Sequence, residues 1–245
     1  MRRAVFFVLT FACGGAAQPA RVEIVQPLPD PSARPAEADP LPPPPRPEAS
    51  SDPADPRPPP HDSIDTLRAR AASLESLLAS TPPPNAAAAP IELVEAQTYV
   101  WLRELGDGSA GAKAIAHYEA LTTRYPQFAK LDEAELGLGL EYMNANDPMA
   151  ARRAFYELIK TRPQSTYVPY AAFAFGEMFQ REAKSDPAKW DFAQQAYAEV
   201  KKYATSPIAP EAVCRLAEVA TAQGDHARAD AIRAALARDY PNAPA

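Results

Sequence analysis

Cysteine and histidine are scarce in this chain, and their placement excludes two kinds of site. The 245 residues contain two cysteines, Cys13 and Cys214, and three histidines, His61, His117 and His226. Cys13 has no second cysteine nearby with which to form a disulfide. Structural zinc sites need clusters of cysteine and histidine, and the sequence has none. We therefore predict no metal site and no cofactor.

Positive charge is not concentrated in any block. The formal net charge is −6, with four arginines against eight acidic residues over 18–62 and 17 basic against 21 acidic residues over 91–245. Proteins that bind nucleic acid carry a basic patch that neutralises phosphates. We therefore expect no nucleic-acid partner.

Catalytic motifs are also missing. The sequence has no P-loop, G-x-G-x-x-G or G-x-S-x-G motif, and the glycines of LGLGLEY (136–142) are interpreted as helix-packing residues. The histidines have no partner at ligand spacing. Asp132 and Glu133 are interpreted as charges at a helix N-terminus, and Cys214 as a small hydrophobic residue. An enzyme needs such groups gathered in a pocket, so we predict that the protein is not an enzyme.

The N-terminal apolar run is too short to span a bilayer. It covers nine residues, AVFFVLTFA (4–12), after Arg2 and Arg3, whereas a transmembrane helix needs about 20. A short apolar run behind a positive start is typical of a cleaved secretory signal. We predict a signal peptide at 1–12.

The residues around Cys13 resemble a bacterial lipoprotein signal, in which the cysteine is lipidated and becomes the mature N-terminus. Ala12 and Gly14 fit that pattern, whereas Thr10 and Phe11 depart from it. The resemblance implies a lipid (palmitate) anchor on Cys13. Because Gly14, rather than Asp, follows the cysteine, it also implies the outer membrane, on its periplasmic side. The alternative is an ordinary secreted protein.

Proline divides the chain. Sixteen of the 29 prolines lie between Pro19 and Pro60, and this stretch has too few large apolar residues to bury a core. Proline favours an extended path of about 3.1 Å per residue. We interpret 13–62 as the lipidated N-terminus and a disordered spacer, and a P-x-x-P ligand is the alternative.

A short amphipathic helix is predicted at 63–80, followed by a Pro/Ala loop at 81–90. Its apolar residues, at spacings of three and four, are Ile64, Leu67, Ala71, Leu74 and Leu78. Ser63 or Asp62 is the expected N-cap. Two heptads are too few to establish a coiled coil. Two interpretations stay open: the helix packs on its own C-terminal domain or a partner, or helix 64–79 forms a homo-oligomer.

The rest of the chain, 91–245, is internally repetitive. Pro126, Pro163, Pro207 and Pro241 are separated by 37, 44 and 34 residues, and such periods indicate stacked helical pairs. Counted from Asp132, the diagnostic residues of the clearest unit are Leu138, Gly139, Tyr142, Ala151, Phe155 and Pro163. This pattern resembles the tetratricopeptide repeat (TPR), in which small residues allow close helix packing and proline ends the second helix.

The same frame predicts an all-α, TPR-like α-solenoid of about four helix-turn-helix units. These units cover 95–128, 132–165, 169–207 and 210–243. Leu102 occupies the small position of the first unit, and Arg233 replaces the usual aromatic of the last, as suits a capping repeat. The third unit contains an insertion, REAKSDPAKWD. Its Trp190 is either part of a second binding surface or a residue that closes the core.

A signal, a linker and TPRs in one chain resemble two bacterial envelope groups: the TPR lipoprotein of the β-barrel assembly machine and the Tol–Pal-associated cell-division coordinator. The long tether departs from the first group, and the short helix departs from the longer coiled coil of the second. The resemblance implies a membrane-tethered, non-catalytic scaffold for other envelope proteins or peptides. The alternative is a structural, oligomerising subunit of an envelope transport, secretion or motility complex.

The TPR resemblance also implies a partner-binding groove along the first helix of each unit. The positions carried over are Tyr99, Arg103, Leu136, Leu140, Met143, Asn144, Tyr170, Phe173, Glu177, Gln180, Arg181, Cys214 and Glu218. The middle of this set is apolar and aromatic, as binding hot spots are. The alternative is that some of these residues pack under helix 64–79 or between units.

Overall fold

Antiparallel α-helices follow one another in sequence order through residues 63–241, which are the residues that the computed structural model describes. In that range the helices are α1 (Ile64–Ser80), α2 (Ala88–Glu104), α3 (Ala110–Arg124), α4 (Leu131–Asn144), α5 (Pro148–Thr161), α6 (Val168–Glu182), α7 (Lys189–Val200), α8 (Ala209–Ala222) and α9 (His226–Asp239). None of them is long and apolar enough to cross a bilayer. The predicted signal peptide, Cys13 and linker lie outside the described residues.

The helices pair as hairpins that stack into a solenoid. The pairs are α2/α3, α4/α5, α6/α7 and α8/α9, and the second helix of each packs on the first helix of the next. The first helices also touch along the stack, α4 with α6 and α6 with α8. The predicted all-α solenoid is confirmed.

Helix α2 begins earlier than the predicted first unit. It starts at Ala88, whereas the repeat frame begins at Glu95 and the predicted loop extends to Pro90. Proline lacks an N–H, but the first residues of a helix have no intrahelical acceptor for theirs, so Pro90 fits in the first turn. The proline that the sequence analysis placed in a loop therefore lies in the helix.

Three of the four turns inside hairpins share one design. A residue with positive φ is followed by aspartate at Gly106-Asp107, Asn146-Asp147 and Gly224-Asp225. In the second of these turns Asn146 has φ of 58°, and Asp147 Oδ1 accepts a 2.9 Å hydrogen bond from the Ala150 N–H. The left-handed residue follows the end of one helix, and Asp147 and Asp225 cap the next. In the first turn Asp107 instead accepts a 3.2 Å hydrogen bond from the N–H of Ser109, the residue before α3. The Gly-Asp or Asn-Asp pair of these turns is visible in the sequence, although the proline spacing does not reveal it.

Helix α1 occupies the place of the second helix of a preceding hairpin. The connection from α5 to α6 carries two successive backbone hydrogen bonds, Ser165 N–H to Arg162 O and then Val168 N–H to Ser165 O. The α1–α2 connection repeats this arrangement, with hydrogen bonds to the carbonyls of Pro82 and Asn85. Helix α1 therefore packs on α2 as the second helix of a hairpin packs on the next hairpin.

The apolar stripe of α1 faces its own chain. Leu67 and Ala71 are 1% and 4% exposed in the core shared with α2 and α3, and the Ser63 side chain caps the helix through the Thr66 N–H. Of the two open interpretations, the structure shows packing on the C-terminal domain. A homo-oligomer through the same stripe would require α1 to leave α2.

Glycines of the first helices hold aromatic rings of the second helices. A Cβ added to Gly139 or Gly176 would lie less than 3 Å from the ring of Phe155 or Tyr197, respectively. In the first hairpin Leu102 fills the small position, as the sequence indicates. There the ring of Tyr118 packs instead on Gly137 of the next hairpin, which joins the two hairpins.

The last described hairpin, α8/α9, has a polar outer side. Ala229 is the buried residue of α9. Arg233 takes the place of the aromatic residue, with its side chain 53% exposed, and donates to Thr221 Oγ1 at 3.0 Å. In the third hairpin Trp190 is half-buried against the core of α6–α8. This agrees with the interpretation that Trp190 closes the core.

Candidate interaction surface

The predicted groove residues differ widely in exposure. Asn144 and Arg181 are exposed. Tyr99 and Met143 are buried. The residues of intermediate exposure are Arg103, Leu136, Leu140, Tyr170, Phe173, Glu177, Gln180, Cys214 and Glu218. The partly exposed members on α4, α6 and α8, with Asn144 and Arg181, are called the first-helix surface below.

Tyr99 lies beneath α1 rather than on this surface. Its O–H donates to Glu75 of α1, its ring stacks on His117 of α3 with centroids 5.6 Å apart, and Lys113 Nζ lies 3.0 Å from its oxygen. Tyr99 therefore packs under helix 64–79, which was the alternative to a role in the groove.

Arg103 joins the first two hairpins. Its guanidinium makes two hydrogen bonds of 2.8 and 2.9 Å to the carboxylate of Glu141 on α4. Glu141 is 1% exposed and also accepts from Asn144 Nδ2 at 3.1 Å. A bidentate arginine that compensates a buried carboxylate holds α2 and α4 in fixed register.

The junction between α4 and α6 is apolar. Met143 is buried, and Leu136 and Leu140 pack half-buried, in a core that includes Ala174 and Met178 of α6. Because Leu136 and Leu140 keep part of their side chains exposed, the middle of the first-helix surface presents apolar atoms to solvent.

One arginine of α8 forms ion pairs on both sides of the junction between α6 and α8. Arg215, which the sequence analysis did not single out, lies 3.0 Å from Glu177 on α6 and 3.1 and 3.0 Å from Glu211 and Glu218 on its own helix. Its side chain is 11% exposed. The spacing Glu211–Arg215–Glu218 places these groups on one helix face. That spacing is the feature of the sequence from which the role of Arg215 could have been predicted. The three carboxylates exceed the one guanidinium, which leaves this end of the surface acidic.

The two aromatic groove residues serve the core as well as the surface. The Phe173 ring packs on Tyr197 with centroids 5.4 Å apart, and Tyr170 packs half-buried on the same core. Gln180 accepts from the Tyr197 hydroxyl at 2.8 Å and donates to Glu218 at 3.2 Å. Substituting either aromatic residue would disturb the hairpin, so the exposed Asn144 and Arg181 are the better probes of binding.

The structure gives His117 acidic partners that its sequence neighbours do not show. Its Nδ1 lies 2.7 Å from Glu92 and its Nε2 3.4 Å from Glu95. Glu95 is fully buried, and burial raises its pKa to about 7. Burial also raises the pKa of Cys214, which disfavours the reactive thiolate. Within residues 63–241 no group of three or more His, Cys, Asp or Glu side chains is arranged to hold a metal ion.

Comparison with known proteins adds no relative. No model of a known protein family matches the chain, and no curated protein matches it.

Proposed function

We propose that this protein is a membrane-tethered, non-catalytic scaffold that holds another envelope protein or peptide on its first-helix surface. The single observation that carries the proposal is the apolar junction of α4 and α6. There Leu136 and Leu140 remain partly exposed, and the carboxylates around Arg215 lie at the next junction, between α6 and α8.

The geometry of the stack suits this role. Contacts of α4 with α6 and of α6 with α8 bring side chains of three helices into neighbouring rows. Repeat solenoids use such extended surfaces for binding. Apolar side chains next to hydrogen-bonding groups offer a partner both burial and orientation.

The tether supports the location that we propose. A lipid on Cys13 would fix the N-terminus in the outer membrane. The proline-rich residues of 13–62 would then space the solenoid from the bilayer, on the order of 100 Å at full extension. Several acyl chains on one residue anchor firmly because each buried methylene contributes about 0.8 kcal/mol.

Site-specific photocrosslinking in cells tests the binding surface. Benzoylphenylalanine replaces Asn144 or Arg181 on the first-helix surface, or Glu157 on the outer face of α5, in the full chain. All three residues are exposed, and Glu141 keeps its two hydrogen bonds from Arg103 when Asn144 is replaced, so each variant should fold. We expect a discrete crosslinked adduct from Asn144 and Arg181 and none from Glu157. Adducts from Glu157 alone, or from none of the three positions, would contradict the proposed surface.

A further inference from the structure

Acidic and basic side chains are distributed unequally between the two layers of the solenoid. The first helices of the four hairpins, α2, α4, α6 and α8, carry three arginines against eleven aspartates and glutamates. The second helices, α3, α5, α7 and α9, carry nine lysines and arginines against six acidic residues. The negative charge of these hairpins is therefore concentrated on the helices that form the first-helix surface.

The first helices lie on the inner side of the stack. Helix α4 touches α6 and α6 touches α8, whereas no two second helices of the described hairpins make a comparable contact. Helices that approach one another on one side of a solenoid and diverge on the other side give it a concave face, and such faces are used for binding. The first-helix surface is therefore the floor of a groove.

This floor changes from apolar to acidic along the stack. Leu140 on α4, Glu177 on α6 and Glu218 on α8 occupy the same position in successive units. Leu140 packs half-buried at the junction of α4 and α6, whereas Glu177 and Glu218 lie beside Arg215 at the junction of α6 and α8. Packed helices are about 8–10 Å apart, so the apolar and acidic parts of the groove are separated by about that distance.

One guanidinium serves several carboxylates at the acidic part. Arg215 pairs with three glutamates, Glu177, Glu211 and Glu218. The Glu211 side chain is 47% exposed, against 15% for Glu177 and 19% for Glu218, so it is the carboxylate that a cation from solvent reaches first. Arg181 lies one turn after Glu177 on α6, and even with both arginines counted the carboxylates are in excess.

We propose that the groove takes a cationic amphipathic segment of the partner protein. Its apolar side chains would cover Leu136 and Leu140, and a lysine or arginine would meet the carboxylates around Arg215. The inference rests on the proposed function, since it names the partner chemistry for the same surface. A separation of about 10 Å corresponds to about three residues of an extended segment or about seven residues of a helix. Like charges across an interface exclude wrong partners, so the carboxylates disfavour acidic segments.

Three synthetic peptides of equal length test the preference of the full chain. The first places leucines and lysines at this spacing, the second replaces each lysine by glutamate, and the third replaces each leucine by serine. Fluorescence anisotropy measures the affinity of each labelled peptide. We expect the Leu/Lys peptide to bind about tenfold or more tightly than the Leu/Glu and Ser/Lys peptides, because it satisfies both parts of the groove. Its affinity should fall as the ionic strength rises.

Glu211→Gln and Glu199→Gln form a matched pair of variants. The two side chains are 47% and 45% exposed, and each pairs with a nearby cation of the same chain segment, Arg215 at 3.1 Å and Lys202 at 2.6 Å. Glu199 lies on the second helix α7, outside the groove. We expect Glu211→Gln to weaken binding of the Leu/Lys peptide about threefold and Glu199→Gln to leave it unchanged. No binding of that peptide, equal binding of the Leu/Glu peptide, or equal effects of the two variants would overturn the inference.

The same variants separate this inference from the proposed function. Each is combined with benzoylphenylalanine at Arg181 in cells. We expect Glu211→Gln, but not Glu199→Gln, to lower the yield of the crosslinked adduct. An adduct that Glu211→Gln leaves unchanged would keep the scaffold and overturn the cationic partner. No adduct from Arg181 would contradict the scaffold, whereas the peptide affinities would still support or overturn the cationic preference of the groove.

Discussion

Gly176→Ala is expected to destabilise the protein by about 3 kcal/mol. The new methyl group would lie less than 3 Å from the ring of Tyr197. That ring is fully buried, and its hydroxyl oxygen lies within hydrogen-bond distance of Glu177 Oε1, at 2.7 Å, and of Gln180 Oε1, at 2.8 Å. Alanine is favoured over glycine inside a helix by about 1 kcal/mol, so helix propensity alone would stabilise the variant. A loss of stability must therefore come from the steric clash with the ring.

Urea unfolding followed by circular dichroism measures this effect. Gly108→Ala is the matched control, because a Cβ there meets no atom within 4 Å, and it should change the free energy of unfolding by less than about 0.5 kcal/mol. Adding Tyr197→Leu to Gly176→Ala should cost less than the sum of the two single changes. If Gly176→Ala is as stable as the wild type, the close packing of α6 on α7 is wrong.

Arg215→Met is expected to cost about 3–4 kcal/mol at neutral pH. The arginine side chain is 11% exposed, and Glu177 and Glu218 beside it are 15% and 19% exposed. Removing the cation leaves these partly buried carboxylates to repel one another without compensation. Because Glu177 lies on α6 and Arg215 on α8, the loss should appear as separation of the last two hairpins.

Thermal unfolding and hydrogen exchange together measure that loss. Arg238→Met is the control, since Arg238 is 73% exposed and pairs with the adjacent Asp239, and it should leave stability nearly unchanged. Adding Glu177→Gln to Arg215→Met should recover part of the loss, because one of the unpaired charges is then absent. Equal stability of Arg215→Met and Arg238→Met would show that the arginine does not join α6 to α8.

The repeating fold could be predicted because its determinants are local and steric. Gly139 and Phe155 occupy set positions of the repeat because a ring must fit where two helices nearly touch, and Gly176 and Tyr197 form the same pair across the insertion of the third unit. Proline marks the connection after the second helix. Those constraints require residue types at set positions, which the sequence displays. They place helix pairs well from the second unit onward, where α4 begins at Leu131, next to the predicted Asp132.

The groove positions on α2 could not be predicted in the same way. The frame of the first unit is fixed by Tyr118 and Pro126 on the side of α3. The turn from α2 to α3 spans five residues, 105–109, whereas the turn from α4 to α5 spans three, 145–147. Each residue turns a helix by about 100°. A turn that is two residues longer therefore rotates the face of α2 that the repeat frame assigns to the groove. Tyr99 therefore lies beneath α1.

The charged groups that matter most were also hidden from the sequence. His117 and Glu95 meet because α2 and α3 fold back on each other, and Arg215 meets Glu177 because α8 stacks on α6. Neither pair has a sequence spacing that signals contact. A repeat pattern predicts which helices are neighbours, but side-chain length and tilt decide which charges touch.

Intact mass and membrane fractionation of the full chain, beside Cys13→Ser, test most directly whether the solenoid is a tethered scaffold. The chain is expressed with its own N-terminus in a cell with an outer membrane. We expect a mass increase that matches acylation at Cys13, recovery in the outer-membrane fraction, and loss of both in Cys13→Ser. Wild-type protein that is cleaved, carries no lipid and is recovered in the soluble fraction would contradict the tethered scaffold.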